Sequence, residues 1–123
     1  MTHNPVGWFE IYVQDMARAR AFYEAVFGVS LQELPFPELE MWTFPMAPEG
    51  TGASGALVKA AGCPSGGNST LVYFTCEDCA VQAARAAAAG GKVFRDKMSI
   101  GEYGFIALVH DTEGNLIGLH SLQ

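Results

Sequence analysis

Basic side chains are scarce. Seven lysines and arginines stand against thirteen aspartates and glutamates, for a formal charge of −6. Lys and Arg form no cluster. A nucleic-acid binder neutralises phosphates with a basic footprint, so nucleic acid is not expected as a partner. The same lack argues against an anionic membrane surface. Long apolar runs are missing too, and none approaches the roughly 20 residues that span a bilayer. The opening MTHNPVGWFEIYV has no basic segment followed by a long apolar stretch, so no secretory signal is expected. The three cysteines are an odd count, where a disulfide framework wants an even one. A reduced, cytoplasmic protein is the expectation. Only 16% of residues are charged while half are hydrophobic, which a disordered chain does not combine. A chain of 123 residues fits one domain, 1–123, and buries roughly two-thirds of its unfolded surface.

The pattern along the chain repeats once. Residues 8–13 (WFEIYV) read as a strand. Asp15 then caps a helix over 16–27, where Met16, Ala19, Phe22, Tyr23, Val26 and Phe27 recur at three- and four-residue spacing, and Gly28 stops it. Strands are expected near 30–34, 41–46 and 54–59, with a turn-rich loop over Pro48–Gly55. Residues 70–76 (TLVYFTC) open the second copy. Asp78 caps a helix over 79–89 that ends at Gly90–Gly91, and strands follow near 92–95, 104–110 and 115–121. Asp111–Asn115 reads as the tight turn between the last two. A shift of 63 residues lays Asp15 on Asp78, Gly28 on Gly91 and Gly55 on Gly118. Two halves, about 5–62 and 68–123, are therefore expected, joined by a linker over Cys63–Asn68. Each reads β, α, then three β, an α+β domain of two βαβββ units.

Alternation along a strand divides its side chains between two faces. Phe9, Ile11 and Val13 share one face of the first strand, while Trp8, Glu10 and Tyr12 share the other. In the fifth strand Val72, Phe74 and Cys76 oppose Leu71, Tyr73 and Thr75. The purely apolar faces suit packing on the helices. The mixed faces suit the wall of a cavity. The expected core is Phe9, Ile11, Val13, Phe22, Tyr23, Val26 and Phe27 in the first half. In the second it is Val72, Phe74, Cys76, Val81, Ala84 and Ala88.

The segments FEIYVQDMARARAFYEAVFG and EYGFIALVHDTEGNLIGLHS resemble the vicinal oxygen chelate superfamily. This is the glyoxalase, bleomycin-resistance and extradiol-dioxygenase group. The resemblance covers essentially the whole chain and implies paired βαβββ units with curled mixed sheets enclosing a cavity. Enzymes of this group hold one divalent metal. One ligand usually sits seven residues before each helix-opening aspartate, and here those positions are Trp8 and Leu71. Another sits on the last strand of each unit, here Gly118 and, by the 63-residue shift, Gly55. None of these side chains offers a lone pair to a cation. The resemblance thus implies the fold and the cavity without the metal chemistry. No cofactor is expected, and a divalent metal fits only a non-standard site.

Glu10 and His120 lie two residues past Trp8 and Gly118, on the same faces. They are the candidate acid–base pair, expected with Tyr73 in one cavity, against the plain alternative of a simple hydrogen-bonded pair. Trp8, Tyr12, Trp42, Tyr73, Tyr103 and Phe105 are candidate ligand-binding aromatics, although aromatics also fill small cores. Glu102-Tyr103-Gly104 reads as a loop able to cover a cavity mouth. His3 and His110 read as terminal and turn-facing residues. Cys76-Glu-Asp-Cys79 has C-x-x-C spacing but no second pair for zinc, and reads as coincidence. The leading functional expectation is a metal-free binding protein of bleomycin-resistance type, taking a small aromatic or amphipathic ligand. The alternatives are a glyoxalase/lyase- or isomerase-like enzyme around Glu10 and His120, and an accessory domain with a filled cavity. Uncovered sheet edges, and the habit of small members of this superfamily, lead to the expectation of a symmetric homodimer.

Overall fold

The computed structural model describes residues 4–46, 52–67 and 69–123. His3, the first half of the loop expected over Pro48–Gly55, and Asn68 of the linker lie outside these residues. The described chain runs β1 (Val6–Tyr12), α1 (Met16–Phe27), β2 (Gln32–Glu33), β3 (Leu39–Thr43) and β4 (Ser54–Ala60). It continues with β5 (Thr70–Thr75), α2 (Cys79–Ala88), β6 (Lys92–Ser99), a 3₁₀ turn at Gly101–Tyr103, β7 (Phe105–His110) and β8 (Leu116–Ser121). This is the α+β, twice-repeated βαβββ order expected from the sequence.

The chain forms two compact units. The first is Phe9–Thr70. The second is Leu71–Gln123 together with the residues up to Trp8. The start of β1 thus belongs with the second half, a boundary the sequence does not show. Two contacts account for it. The Thr75 amide donates to the Pro5 carbonyl at 2.8 Å, and Gly7 lies so close to the Thr75 hydroxyl that a Cβ would collide with it.

In the first unit the strands lie in the order β2-β3-β4-β1. Asp15 caps α1 by accepting from the Arg18 amide at 3.0 Å. Gly28 ends it in the left-handed region at φ 66°, which a Cβ would disfavour, and its amide donates to the Glu24 carbonyl. The core is Val13, Met16, Leu31 and Leu57, with Ile11, Ala19, Tyr23, Trp42 and Phe44 packed against it. Ile11, Val13 and Tyr23 pack as expected. Phe22, Val26 and Phe27 do not, being 58%, 55% and 63% exposed. The helix turns the narrow stripe Met16–Ala19–Tyr23 to the sheet, and the neighbouring apolar rows stay in solvent. Periodicity gives the direction of a helix face but not its width.

In the second unit β5 pairs parallel with β8, β8 antiparallel with β7, and β7 antiparallel with β6, so the sheet is mixed. Cys79, Ala83, Ala107, Val109 and Leu119 form the core, with Phe74, Cys76, Ala86, Val93, Phe105 and Ile117 against it. Val81, Ala84 and Ala88 were expected inside and are exposed. The helix faces the sheet through Cys79, Ala83 and Ala86, one row over. The β6 strand runs to Ser99, four residues past the expected end, and slips register against β7 at Val93/Arg95 and again at Arg95/Met98.

Candidate functional site

The first unit presents Glu10 on the β1 face opposite α1. Alternation sets it there, because Ile11 and Val13 point to the helix. Met41 pairs with Val58 and Thr43 with Ala56 across β3 and β4, and all four are buried. Leu57, between Ala56 and Val58, packs on the α1 side, so Ala56 and Val58 share the face of Glu10. Glu10 itself is only 9% exposed, and its Oε1 accepts the Tyr12 hydroxyl at 2.7 Å. A buried carboxyl is costly without hydrogen bonds, and Tyr12 supplies one from two residues along the strand.

Trp42 is not on this face. Its indole packs in the α1 core, the Arg20 guanidinium lies 3.5 Å above its ring, and its Nε1 donates to Glu40 at 3.2 Å. Expected among the ligand-binding aromatics, it serves the first unit's core instead. Phe105 is corrected in the same way, since it packs against the α2 core with Lys97 4.7 Å from its ring.

In the second unit Tyr73 stands beside Gly118, and Thr75 beside His120, on the face opposite α2. Leu119 and Ser121 point the other way. Leu119 joins the α2 core, and the Ser121 hydroxyl accepts the Cys79 amide at 3.0 Å. Leu71 and Tyr73 are buried and Trp8 is half-buried. The His120 Nε2 lies 2.6 Å from the Tyr103 carbonyl in the 3₁₀ turn. Gly104 makes this turn possible. Its φ is 102°, and a Cβ there would collide with the Ser121 carbonyl. Tyr103 therefore meets His120 through its backbone, while its side chain is 43% exposed. His110 packs edge-on against Phe94 at 5.5 Å.

The repeat contains a one-residue offset that the sequence hid. In the second unit the Cys76 amide donates to the His120 carbonyl, and in the first the Val13 amide donates to the Val58 carbonyl. Val13 and Cys76 correspond under the 63-residue shift, so Val58 corresponds to His120 and Ala56 to Gly118. Gly55, which the 63-residue shift lays on Gly118, instead points to the α1 face, against the Phe9 ring. One extra residue between α1 and β4 moves the last strand by one position, which reverses its side chains.

The four places where the superfamily carries metal ligands are thus Trp8, Leu71, Gly118 and Ala56. None is a donor. A Cβ at Gly118 would lie 2.5 Å from the Tyr73 ring, so that ring fills the room a ligand side chain would need. The residues present do not fit a divalent metal there. Among the described residues no three His, Cys, Asp or Glu gather as a metal-binding group. A separate groove of ≈ 590 Å³ in the first unit, edged by Gln14, Glu40, Lys59 and Cys63, contains none of the candidate residues. No helix among the described residues is long and apolar enough to cross a membrane.

Residues 6–44 match the family described as bleomycin resistance protein-like N-terminal. No curated protein matches the chain significantly. Among solved structures, a variant of Streptomyces coelicolor methylmalonyl-CoA epimerase in complex with 2-nitronate-propionyl-CoA is 19% identical, with a TM-score of 0.72 over 96% of each chain. The methylmalonyl-CoA epimerase of Mycobacterium tuberculosis is 17% identical, with a TM-score of 0.71 over 97% of this chain and 88% of the other. A hypothetical protein of Bacillus halodurans C-125 has a TM-score of 0.75 at 11% identity, over 99% of this chain and 96% of its own. At these identities the likeness concerns the fold.

Proposed function

We propose that this chain, whose residues 6–44 match the bleomycin resistance protein-like N-terminal family and whose fold is shared with methylmalonyl-CoA epimerases, is a member of the vicinal oxygen chelate superfamily that acts as a metal-free binding protein for a small amphipathic organic molecule. The carrying observation is the buried Glu10 carboxyl, held by the Tyr12 hydroxyl on a sheet face that also carries the buried Met41, Ala56 and Val58. A fold rarely keeps a carboxyl in a dry place for stability alone, since apolar packing of the same volume serves as well or better. A ligand with an amine or hydroxyl donor at one end and an apolar body matches a carboxyl set beside apolar side chains. In the second unit, taken by itself, the corresponding face carries Tyr73 and His120, an aromatic surface and an imidazole, and Trp8 and Tyr103 are that unit's further proposed contacts. The reading includes a cytoplasmic location and a symmetric homodimer, and light scattering at micromolar concentration tests the latter.

Native mass spectrometry on freshly purified protein tests the binding itself. A retained small molecule, or a saturable thermal shift with a hydrophobic amine library, is the expected result. Glu10→Gln then weakens binding about tenfold, the size of a lost hydrogen bond to a charged group. Absence of both retention and shift across the library would reject the proposal. The same assay with nickel, zinc, cobalt or manganese should show no shift. A ligand present at 100 times its dissociation constant stabilises by about 2.7 kcal/mol, so metal binding would be plain.

A further inference from the structure

Cys76 and Cys79 flank the junction between β5 and α2. Cys76 follows the last residue of β5, and Cys79 is the first residue of α2, with only Glu77 and the N-cap Asp78 between them. Both thiols are free, and both side chains turn to the helix side of the sheet, where Cys76 packs against the cluster that contains Cys79. They differ in access, for Cys76 is half-buried while Cys79 is fully buried. The strand that carries His120 grips this junction on both sides. The Cys76 amide donates to the His120 carbonyl at 2.7 Å, and the Cys79 amide donates to the Ser121 hydroxyl at 3.0 Å. Asp78 between them is tied to Lys97 at 2.9 Å, and Lys97 Nζ also reaches the Gln123 carbonyl.

We infer that Cys76 and Cys79 are a redox-active dithiol, closed to an intramolecular disulfide by low-molecular-weight disulfides, and that closure moves the strand bearing His120. The reaction is a double exchange. The Cys76 thiolate attacks one sulfur of oxidised glutathione, forming a mixed disulfide and releasing one glutathione thiolate. The Cys79 thiolate then attacks the Cys76 sulfur and releases the second. The protons lost by the two protein thiols end on the two glutathiones, so the protein is oxidised by two electrons and glutathione is reduced by the same two. Cys76 is the entry point because it is the more accessible thiol. Burial, and then the neighbouring Cys79 sulfur, push the Cys76 thiol above its ordinary range, while a hydrogen bond with the His120 backbone works against them. Cys76 is therefore protonated near neutral pH and reacts slowly.

A disulfide needs Cα atoms about 4.4–6.8 Å apart, and a bridge over so short a loop constrains its backbone closely. Drawing the two sulfurs together pulls on the Cys76 and Cys79 amides, whose acceptors are His120 and Ser121. His120 also holds the Tyr103 carbonyl, so the displacement reaches the 3₁₀ turn. The C-x-x-C spacing, which reads as coincidence in the sequence, acquires a physical context from these contacts.

The full chain, equilibrated with oxidised glutathione and trapped with an alkylating agent, tests this without any ligand, so its failure is separable from failure of the binding proposal. Peptide mass spectrometry should find a Cys76–Cys79 bridge, with a mass lower by two hydrogens and Cys63 alkylated. Cys63→Ser should still close the bridge. Cys79→Ala should stop at a stable glutathione adduct on Cys76. The His120 imidazole resonance, assigned by comparison with His120→Gln, should shift on oxidation of the wild type. Three alkylated thiols, adducts without a bridge, or a bridge through Cys63 would overturn the dithiol. A bridge that leaves the His120 resonance unmoved would overturn its link to that strand.

Discussion

Phe9 in the first unit and Tyr73 in the second each lay a ring against a glycine of the neighbouring last strand, but on opposite faces of their sheets. Phe9 covers Gly55 on the side of α1, among Phe44 and the helix core. Tyr73 covers Gly118 on the side away from α2. The same ring-on-glycine packing therefore seals a helix interface in one unit and lines the candidate face in the other. A single added residue before β4 accounts for the difference. Each last-strand position of the first unit is one step out from the simple repeat, so the counterpart of His120 is the buried Val58. The units share an architecture while their polar chemistry differs: a carboxyl on the first strand of one, an imidazole on the last strand of the other.

The largest effects should fall where the units agree. Leu57 and Leu119 occupy the same place under the offset and are 0% and 5% exposed. Changing either to Ala should destabilise by about 2–5 kcal/mol, read by chemical denaturation. Phe22→Ala, on the exposed side of α1, should stay within about 0.5 kcal/mol. A large loss at Phe22 would mean that a partner covers that row in solution.

The ring-on-glycine pairs come next. Gly55→Ala and Gly118→Ala each force a ring to move, and overpacking of this kind costs about 1–3 kcal/mol. Tyr73→Leu should recover part of the loss in Gly118→Ala and none of that in Gly55→Ala. Equal recovery in both would break the assignment of the two rings to opposite faces.

Ser121 and Lys59 sharpen the comparison further, because they correspond under the offset but do different work. Ser121→Ala leaves the buried Cys79 amide without its acceptor and should cost about 1–3 kcal/mol. Lys59→Ala, at an exposed position, should cost less than about 0.5 kcal/mol.

The smallest effect concerns acid. Asp111 accepts from the side chain of Asn115, then from the Asn115 and Glu113 amides, which holds its carboxyl below the ordinary 3.8. A carboxyl depressed by folding stabilises the native state above its unfolded value, and that contribution disappears as pH falls through the folded value. Wild type should therefore lose stability below about pH 4 more steeply than Asp111→Asn. Parallel slopes in acid melts of the two proteins would show that the turn contributes nothing.

Much of the architecture was legible because local signals agreed with one another. Asp15 and Gly28 bound α1 where the sequence placed it, and Asp111–Asn115 forms the expected turn. Edge strands were placed less well. β2 has two residues where five were expected, and β6 outlasts its forecast, since an edge has one neighbour and weak patterning. At the site, strand alternation correctly separated Glu10 and Tyr12 from Ile11 and Val13. It could not place Trp42 or Phe105, because an aromatic suits a wall and a core equally well. The His120–Tyr103 bond has no sequence signal for a different reason: its acceptor is a backbone carbonyl, and no residue type announces that.

The two register slips in β6 bear on how the protein behaves in storage. β6 is the outermost strand beside β7, eight residues long, and carries the exposed Phe94 and Met98. A straight strand of that length and make-up would template fibril growth. Each slip interrupts the even spacing of amides and carbonyls that an incoming chain must match, with Arg95 between the two and Asp96 and Lys97 within the second. Concentrated samples should therefore precipitate amorphously under stress and show no thioflavin-positive lag phase, whereas a variant with a regularised β6 would acquire one.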